Sequence, residues 1–175
     1  MKRLSFATIL VALFFLAVPA QDANAQVKIG PRVGIDVGDD LDSPFIGAEV
    51  RFLAGDLPVT FVGSFDYYFI DDETITFGGQ TVEADNSAFT LDFNALYMFG
   101  IDNEAFTPYA GGGLGITRGS TDFNGESESN TEVNLNVVGG AEFPLDAVTP
   151  FVQAQFGVGG DFERFNIAGG ILFNI

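Results

Sequence analysis

Residues 89–99, FTLDFNALYMF, show most clearly which fold the sequence encodes. Every second side chain in this stretch is apolar, and polar side chains such as Thr90, Asp92 and Asn94 lie between them. Successive side chains of a β-strand point to opposite faces, so a period of two predicts a strand with one apolar and one polar face. The apolar face carries Phe89, Leu91, Phe93, Ala95, Tyr97 and Phe99.

Seven further segments show the same alternation, and none of the residues on their apolar faces is charged. They are residues 27–37, 46–52, 59–69, 108–116, 132–143, 152–158 and 165–175. The connectors alternate between short ones and longer ones, and both long connectors, residues 71–85 and 118–130, fall at the same end. An even number of strands with this asymmetry is typical of an up-and-down transmembrane barrel.

The bulk of the apolar face decides which way it points. An eight-stranded barrel has an interior just wide enough for side chains, and the Phe, Leu, Ile and Val residues of the apolar faces would overfill it. In a membrane the large apolar residues meet lipid, and closure leaves no unpaired strand edge. We therefore predict an all-β fold, an eight-stranded antiparallel up-and-down transmembrane β-barrel. The alternative is a soluble β-sandwich or lipocalin-like barrel with the apolar face inside.

The N-terminus has the layout of a secretory signal peptide. Basic residues at positions 2 and 3 precede an apolar run at 4–18, and Ala23 and Ala25 are the small residues that a signal peptidase reads. The run is shorter than the roughly 20 apolar residues of a spanning helix, which argues against the alternative of a membrane anchor. We predict cleavage before Gln26, with a signal peptide at 1–25 and one barrel domain at 26–175.

Composition excludes several classes of function. Lys and Arg number 7 against 24 Asp and Glu, a net charge of −17, so we expect no nucleic-acid partner. The absence of Cys and His excludes disulfides, Cys/His zinc sites and His-based catalytic triads. Asp66 and Asp92 could form an acid–base pair, but no other residue supports catalysis. We predict that the protein is not an enzyme and uses no cofactor or metal ion.

Two kinds of motif have simple structural interpretations. The glycine-rich residues 111–115 lack the Lys-Ser/Thr and the helix of a phosphate loop, so we expect these glycines to make room for bulky neighbours such as Tyr109. The acidic clusters at 39–42 and 71–73 lack the spacing of a twelve-residue calcium loop. We expect them to be solvated loops. The alternative is that they bind an extracellular ligand, or divalent cations that bridge them to lipopolysaccharide phosphates.

The polar faces carry charges that would lie inside a narrow lumen. Unpaired charges are costly there, so the pattern predicts a paired network that plugs the barrel and fixes its register. A narrow, gated ion path is the functional alternative. The predicted network consists of Lys28, Arg32, Asp36, Glu49, Arg51, Asp66, Asp92 and Glu142.

With its signal peptide, the strand PYAGGGLG at 108–115 and the segment TPFV at 149–152, the chain resembles small outer-membrane β-barrels of the OmpA transmembrane-domain and OmpX type. Its last strand resembles their assembly signal, with Gly170, Phe173 and Ile175, although Ile175 stands where an aromatic residue is usual and Ala168 where a polar one is common. The resemblance implies the bacterial outer membrane, contact with its lipid and lipopolysaccharide, and insertion by the barrel-assembly machinery. It also leads us to expect no appended peptidoglycan-binding domain.

Architecture points to function only in outline. We expect a structural role in envelope integrity or a surface-interaction role that uses the long connectors. A low-conductance porin or channel for ions or small solutes is the first alternative. A soluble exported barrel that binds a hydrophobic ligand is the second.

Overall fold

The computed structural model describes residues 26–175 except for 39–40, 54–56, 71–72, 78–79, 103–104, 124–125 and 160–163. The predicted signal peptide, with Ala23 and Ala25, lies outside the described residues, and so do the acidic residues at 39–40 and 71–72. The described residues form nine strands: β1 (Val27–Asp36), β2 (Ser43–Leu53), β3 (Val59–Tyr68), β4 (Glu73–Phe77), β5 (Gln80–Met98), β6 (Thr107–Phe123), β7 (Glu126–Glu142), β8 (Val148–Val158) and β9 (Arg164–Asn174).

Eight of these strands, all except β4, close into an antiparallel barrel. The strand order is β3-β2-β1-β9-β8-β7-β6-β5-β4, and an additional pairing of β3 with β5 completes the ring. The first and last strands meet at Lys28 and Asn174, and the amide of Ile175 donates to the carbonyl of Val27 at 3.0 Å. The prediction of an eight-stranded antiparallel barrel is confirmed. None of the described residues belongs to a helix that is long and apolar enough to cross a membrane.

The two segments predicted as long connectors are mostly strand, so that part of the prediction was wrong. β5 pairs with β6 out to Ala84 and Phe123, and β6 pairs with β7 as far as Glu126. Barrel pairing stops earlier, because β3 reaches only Ala88 of β5 and β8 reaches only Leu135 of β7. Residues 73–77, 80–87, 118–123 and 126–131 therefore form a four-stranded sheet beyond the barrel, called here the extension.

The alternation of side chains matches the predicted faces. On β7, Val137 is 58 % exposed on the outer surface, whereas its neighbour Asn136 is 3 % exposed inside the barrel. The soluble alternative required the apolar face to line the interior, and the described strands have the opposite arrangement. The exposed apolar surface includes Val33, Ile46, Phe61, Phe65, Phe93, Leu114, Val133, Leu135, Val152, Phe156, Ile167 and Ile171.

Aromatic pairs mark both margins of this apolar belt. Tyr97 and Phe99 stack edge to face, with ring centroids 5.1 Å apart, at the end of the barrel where the first and last described residues, Gln26 and Ile175, lie. Tyr67 and Phe69 form a similar pair, 5.7 Å apart, at the opposite end. Girdles of aromatic residues at the two interfaces flank the apolar band of outer-membrane barrels. We refer to these two ends as the terminal end and the far end.

Candidate functional site

The candidate site is the interior of the barrel, where the structure places all eight residues of the predicted charge network. β1 alone contributes three of them in order along the axis, Lys28 near the terminal end, Arg32 in the middle and Asp36 near the far end. The Lys28 side chain is 20 % exposed, whereas the other seven are buried. Those seven are Arg32, Asp36, Glu49, Arg51, Asp66, Asp92 and Glu142.

Arg51 on β2 is the centre of the half of the network nearer the terminal end. Its guanidinium donates to Glu49 Oε1 and to Glu142 Oε1, each at 2.6 Å, and to the Tyr109 hydroxyl at 3.1 Å. The guanidinium carbon also lies 4.5 Å from the ring centroid of Phe151 and 4.8 Å from that of Tyr109. Two carboxylates and two aromatic faces therefore hold one cation, an arrangement that compensates its loss of hydration.

Three further ion pairs extend this half of the network along the axis. Lys28 Nζ donates to Glu142 Oε2 at 2.8 Å, so Glu142 joins a lysine and an arginine. Arg32 Nη1 donates to Glu49 Oε2 at 2.8 Å, and its Nε lies 3.1 Å from Asp66 Oδ1. Because these residues come from β1, β2, β3 and β7, the pairs cross the lumen as well as joining neighbouring strands.

Arg164 is the centre of the other half, and sequence analysis missed it. Its guanidinium donates to the Tyr68 hydroxyl at 3.0 Å and to Thr117 Oγ1 at 3.2 Å, and it lies 3.5 Å from Asp36 Oδ2 and 3.7 Å from Asp92 Oδ1. The residue follows an acidic connector directly, which concealed its place in the strand. The inward residues of β9 recur at every second position, and counting back by two along this strand could have identified Arg164.

Two apolar clusters pack inside the barrel beside the charges. The cluster nearer the far end consists of Leu41, Phe45, Tyr68, Ala88 and Ala168, with Ile70 packed against it. The cluster nearer the terminal end consists of Val62, Leu96, Tyr109 and Val138, with Met98 packed against it. Ala168, the departure from the usual assembly signal, is thus a buried member of the first cluster.

Glycines give the large interior side chains their space. A Cβ at Gly140 would lie 2.7 Å from the Tyr109 hydroxyl, so the absence of a side chain there admits the ring. A Cβ at Gly170 would lie 2.6 Å from the Phe151 ring, which packs on Arg51. The other two residues of the predicted assembly signal, Phe173 and Ile175, face outward.

A cavity of about 220 Å³ opens at the terminal end of the lumen. Lys28, Arg51 and Glu142 contribute its charged wall, and Leu53 and Met98 contribute apolar surface. The cavity is large enough for several water molecules, whose share of liquid volume is about 30 Å³ each. The ion pairs of Arg51 and Glu142 therefore stand where a solute entering from this end would meet them.

Comparison with known families identifies the architecture. Residues 7–174 match the family described as "Outer membrane protein beta-barrel domain". The chain belongs to this family. The resemblance noted in the sequence is thereby confirmed, and membership implies the bacterial outer membrane as the location. Comparison with curated proteins finds no match in sequence.

Solved barrels of the same architecture match the chain along most of its length. The N-terminal barrel domain of Pseudomonas aeruginosa OprF has a TM-score of 0.65 at 15 % identity, covering 89 % of this chain and 100 % of that one. Neisserial surface protein A has a TM-score of 0.63 at 14 % identity, covering 85 % and 96 %. The attachment invasion locus protein Ail of Yersinia pestis has a TM-score of 0.59 at 17 % identity, covering 86 % and 97 %. At these identities the likeness extends to the fold alone.

Proposed function

We propose that this outer-membrane barrel is a non-enzymatic, plugged barrel that supports the envelope and presents its extension at the cell surface. The observation that carries the proposal is the lumen itself, in which buried ion pairs join several strands and two apolar clusters pack beside them. Carboxylates paired with guanidinium groups on several strands would fix the barrel register. The orientation we propose places the terminal end in the periplasm and the extension outside.

The extension is the surface most suited to a partner, because it projects beyond the apolar belt. Its described charges include Glu128 and a single arginine, Arg118, whose guanidinium donates to Ser129 Oγ at 2.9 Å. Ail has been solved in complex with the heparin analogue sucrose octasulfate, a polyanion. With a net charge of −17, this chain repels polyanions, so we propose a neutral or cationic surface partner instead.

Contact with the membrane and with the assembly machinery belongs to the same proposal. The outward Val, Leu, Ile and Phe side chains form the surface that lipid would cover, and the lipopolysaccharide leaflet would meet the far-end aromatic pair Tyr67 and Phe69. The last strand, β9, would be the segment that the barrel-assembly machinery engages. Migration in a cold SDS gel tests this directly: the mature chain, extracted in mild detergent, should run faster before boiling than after.

A narrow channel is the second candidate, and the cavity at the terminal end favours it. Rearrangement of the ion pairs at Arg51 would connect this cavity with the polar centre of the lumen. Planar bilayer recording separates the two candidates. If the lumen is plugged, we expect the wild-type barrel to insert without discrete conductance steps. The variant Arg51→Ala, which removes a guanidinium from the lumen, should then introduce such steps. Regular steps from the wild type at moderate voltage would refute the plug and establish the channel.

The surface role needs its own experiment. Residues 119–130 are replaced by a short Gly-containing turn, which leaves every barrel pairing from Leu135 inward in place. We expect this variant to keep its heat-modifiable migration and to lose adhesion of expressing cells to host or abiotic surfaces. Unchanged adhesion in a correctly folded variant would remove the β6–β7 part of the extension from the proposal.

A further inference from the structure

One edge of β7 is open where the extension leaves the barrel. β7 pairs with β6 along its whole length, from Glu142 out to Glu126, but its pairing with β8 ends at Leu135. Within the described part of the chain, no strand pairs with residues 126–134 on the β8 side. The other edge of the extension is β4, which has five residues. β7 therefore offers the longer of the two open edges.

The strand pairing shows which backbone groups point to this open edge. The amide of Phe143, directly after β7, donates to the carbonyl of Pro150, so the odd-numbered residues of β7 direct their N–H and C=O groups toward β8. The registers of β7 with β6 and with β8 are continuous, so this parity extends into the extension. The residues whose backbone groups point to the open edge are Ser127, Ser129, Thr131 and Val133.

One of these amides has a side-chain oxygen in place of a strand partner. The Thr131 N–H donates to Asn130 Oδ1 at 2.9 Å, and Asn130 Nδ2 donates to Glu132 Oε1 at 3.0 Å. The side chains of residues 128–131 are exposed. A local contact of this kind competes with strand pairing, and the carbonyl of an incoming strand can replace it.

The composition of the edge decides which kind of strand fits it. Residues 126–133 contain three Glu and no Lys, Arg or Pro, so the edge lacks the lysines and prolines that commonly block pairing. The Arg118 guanidinium on β6 contacts Ser129 and Thr131 and offsets one of these negative charges. Two copies of the edge would bring Glu against Glu, and like charges on opposite strands destabilise the pair. A segment with Lys or Arg at alternate positions brings opposite charges instead.

We propose that the open edge of β7, residues 126–133, binds an extended cationic peptide segment as an additional strand. Main-chain hydrogen bonds at Ser129, Thr131 and their odd-numbered neighbours supply the affinity, and the charges of alternate side chains select the segment. The inference rests on the surface role proposed above, for which it names the binding mode and the chemistry of the partner.

The test uses the purified barrel in a neutral detergent and a short labelled peptide of alternating Thr and Lys. Hydrogen exchange followed by NMR should show that the peptide protects the amides of Ser127, Ser129, Thr131 and Val133. The amides of the even-numbered residues between them already pair with β6 and should not change. A peptide of the same sequence with N-methylated backbone amides keeps the charge but cannot donate, and it should not bind.

Two substitutions of Thr131 form a matched pair. Thr131→Pro removes the N–H at the open edge and leaves the β6 ladder intact, because this group points away from β6. We expect it to weaken peptide binding about tenfold, since a peptide carbonyl loses its donor. Thr131→Ala keeps the N–H and loses the same hydroxyl contact with Arg118, so it should bind as the wild type does. Heat-modifiable migration checks that both variants fold.

Several outcomes would overturn the proposal. Equal binding of the N-methylated peptide, or equal binding by the two Thr131 variants, would mean that charge alone attracts the peptide. Protection of odd and even amides alike would mean that no strand is added at this edge. The adhesion of cells that express the shortened variant tests the surface role separately. Lost adhesion without peptide binding would refute the edge alone, and peptide binding with unchanged adhesion would refute the surface role alone.

Discussion

Replacing Glu49 with glutamine tests whether water is excluded from the lumen charges, as their burial implies. Glu49 accepts from Arg51 Nε at 2.6 Å and from Arg32 Nη1 at 2.8 Å, and all three side chains are at most 1 % exposed. The amide of Glu49→Gln keeps the shape of the side chain but leaves two buried cations without this carboxylate. Removing one partner of a buried pair costs about 3–5 kcal/mol. Arg51 retains Glu142 and Arg32 retains Asp66, so we expect the lower end, about 3 kcal/mol.

Urea unfolding of the refolded barrel in detergent or thin vesicles measures this loss, with tyrosine fluorescence and cold-gel migration as probes. Glu128→Gln is the matched control, because it makes the same chemical change on an exposed side chain of the extension. The control should unfold at the wild-type urea concentration. A similar shift of the urea midpoint in both variants would indicate an effect of net charge that is unrelated to the lumen.

A double variant separates pairing from packing. When Arg51→Met is added to Glu49→Gln, the lumen loses one charge of each sign, and the combined destabilisation should fall short of the sum by about 0.5–3 kcal/mol. The reasoning fails if Glu49→Gln costs less than about 1 kcal/mol, the range of exposed pairs. Such a result would mean that water solvates these charges and that the lumen is open.

The remaining predictions concern the outer face, the glycines and the fold. Val137→Arg places a charge in the apolar belt and should cost about 2–4 kcal/mol in the same titration, whereas Glu128→Arg beyond the belt should cost little; equal effects would refute the assignment of faces. Gly140→Ala should destabilise by about 1–3 kcal/mol because its methyl group meets the Tyr109 ring, whereas Gly139→Ala, with open space around its Cβ, should be neutral. The wild type should resist SDS in the cold and shift on boiling, and recovery in a detergent-free soluble fraction would contradict the membrane barrel.

The barrel itself could be predicted because lipid imposes a contrast on every strand. Where lipid faces one side and a polar lumen faces the other, side chains such as Val137 and Asn136 must alternate, and the period of two is visible in the sequence. The extension could not be predicted in this way. Beyond the barrel the side chains of Thr121 and of residues 128–131 are all exposed, so no buried face enforces alternation although backbone pairing continues.

The candidate site was predictable in its members but not in its partners. The sequence places Arg51 and Glu142 on inward faces, but they are far apart in the chain, and only closure of the ring brings them to 2.6 Å. Arg164 was missed because it is the first residue of its strand, so only the residues that follow it show the alternation of polar and apolar side chains.

The pairing of β1 with β9 has a consequence for how the protein is made. These strands lie at opposite ends of the described chain, so the contact that completes the ring has nearly the largest sequence separation available and is among the slowest to form. Until it forms, β1 and β9 each present an open edge that can pair with a foreign strand. A chain interrupted before its last 11-residue strand would keep the open edges of β1 and β8 and would therefore be prone to aggregate.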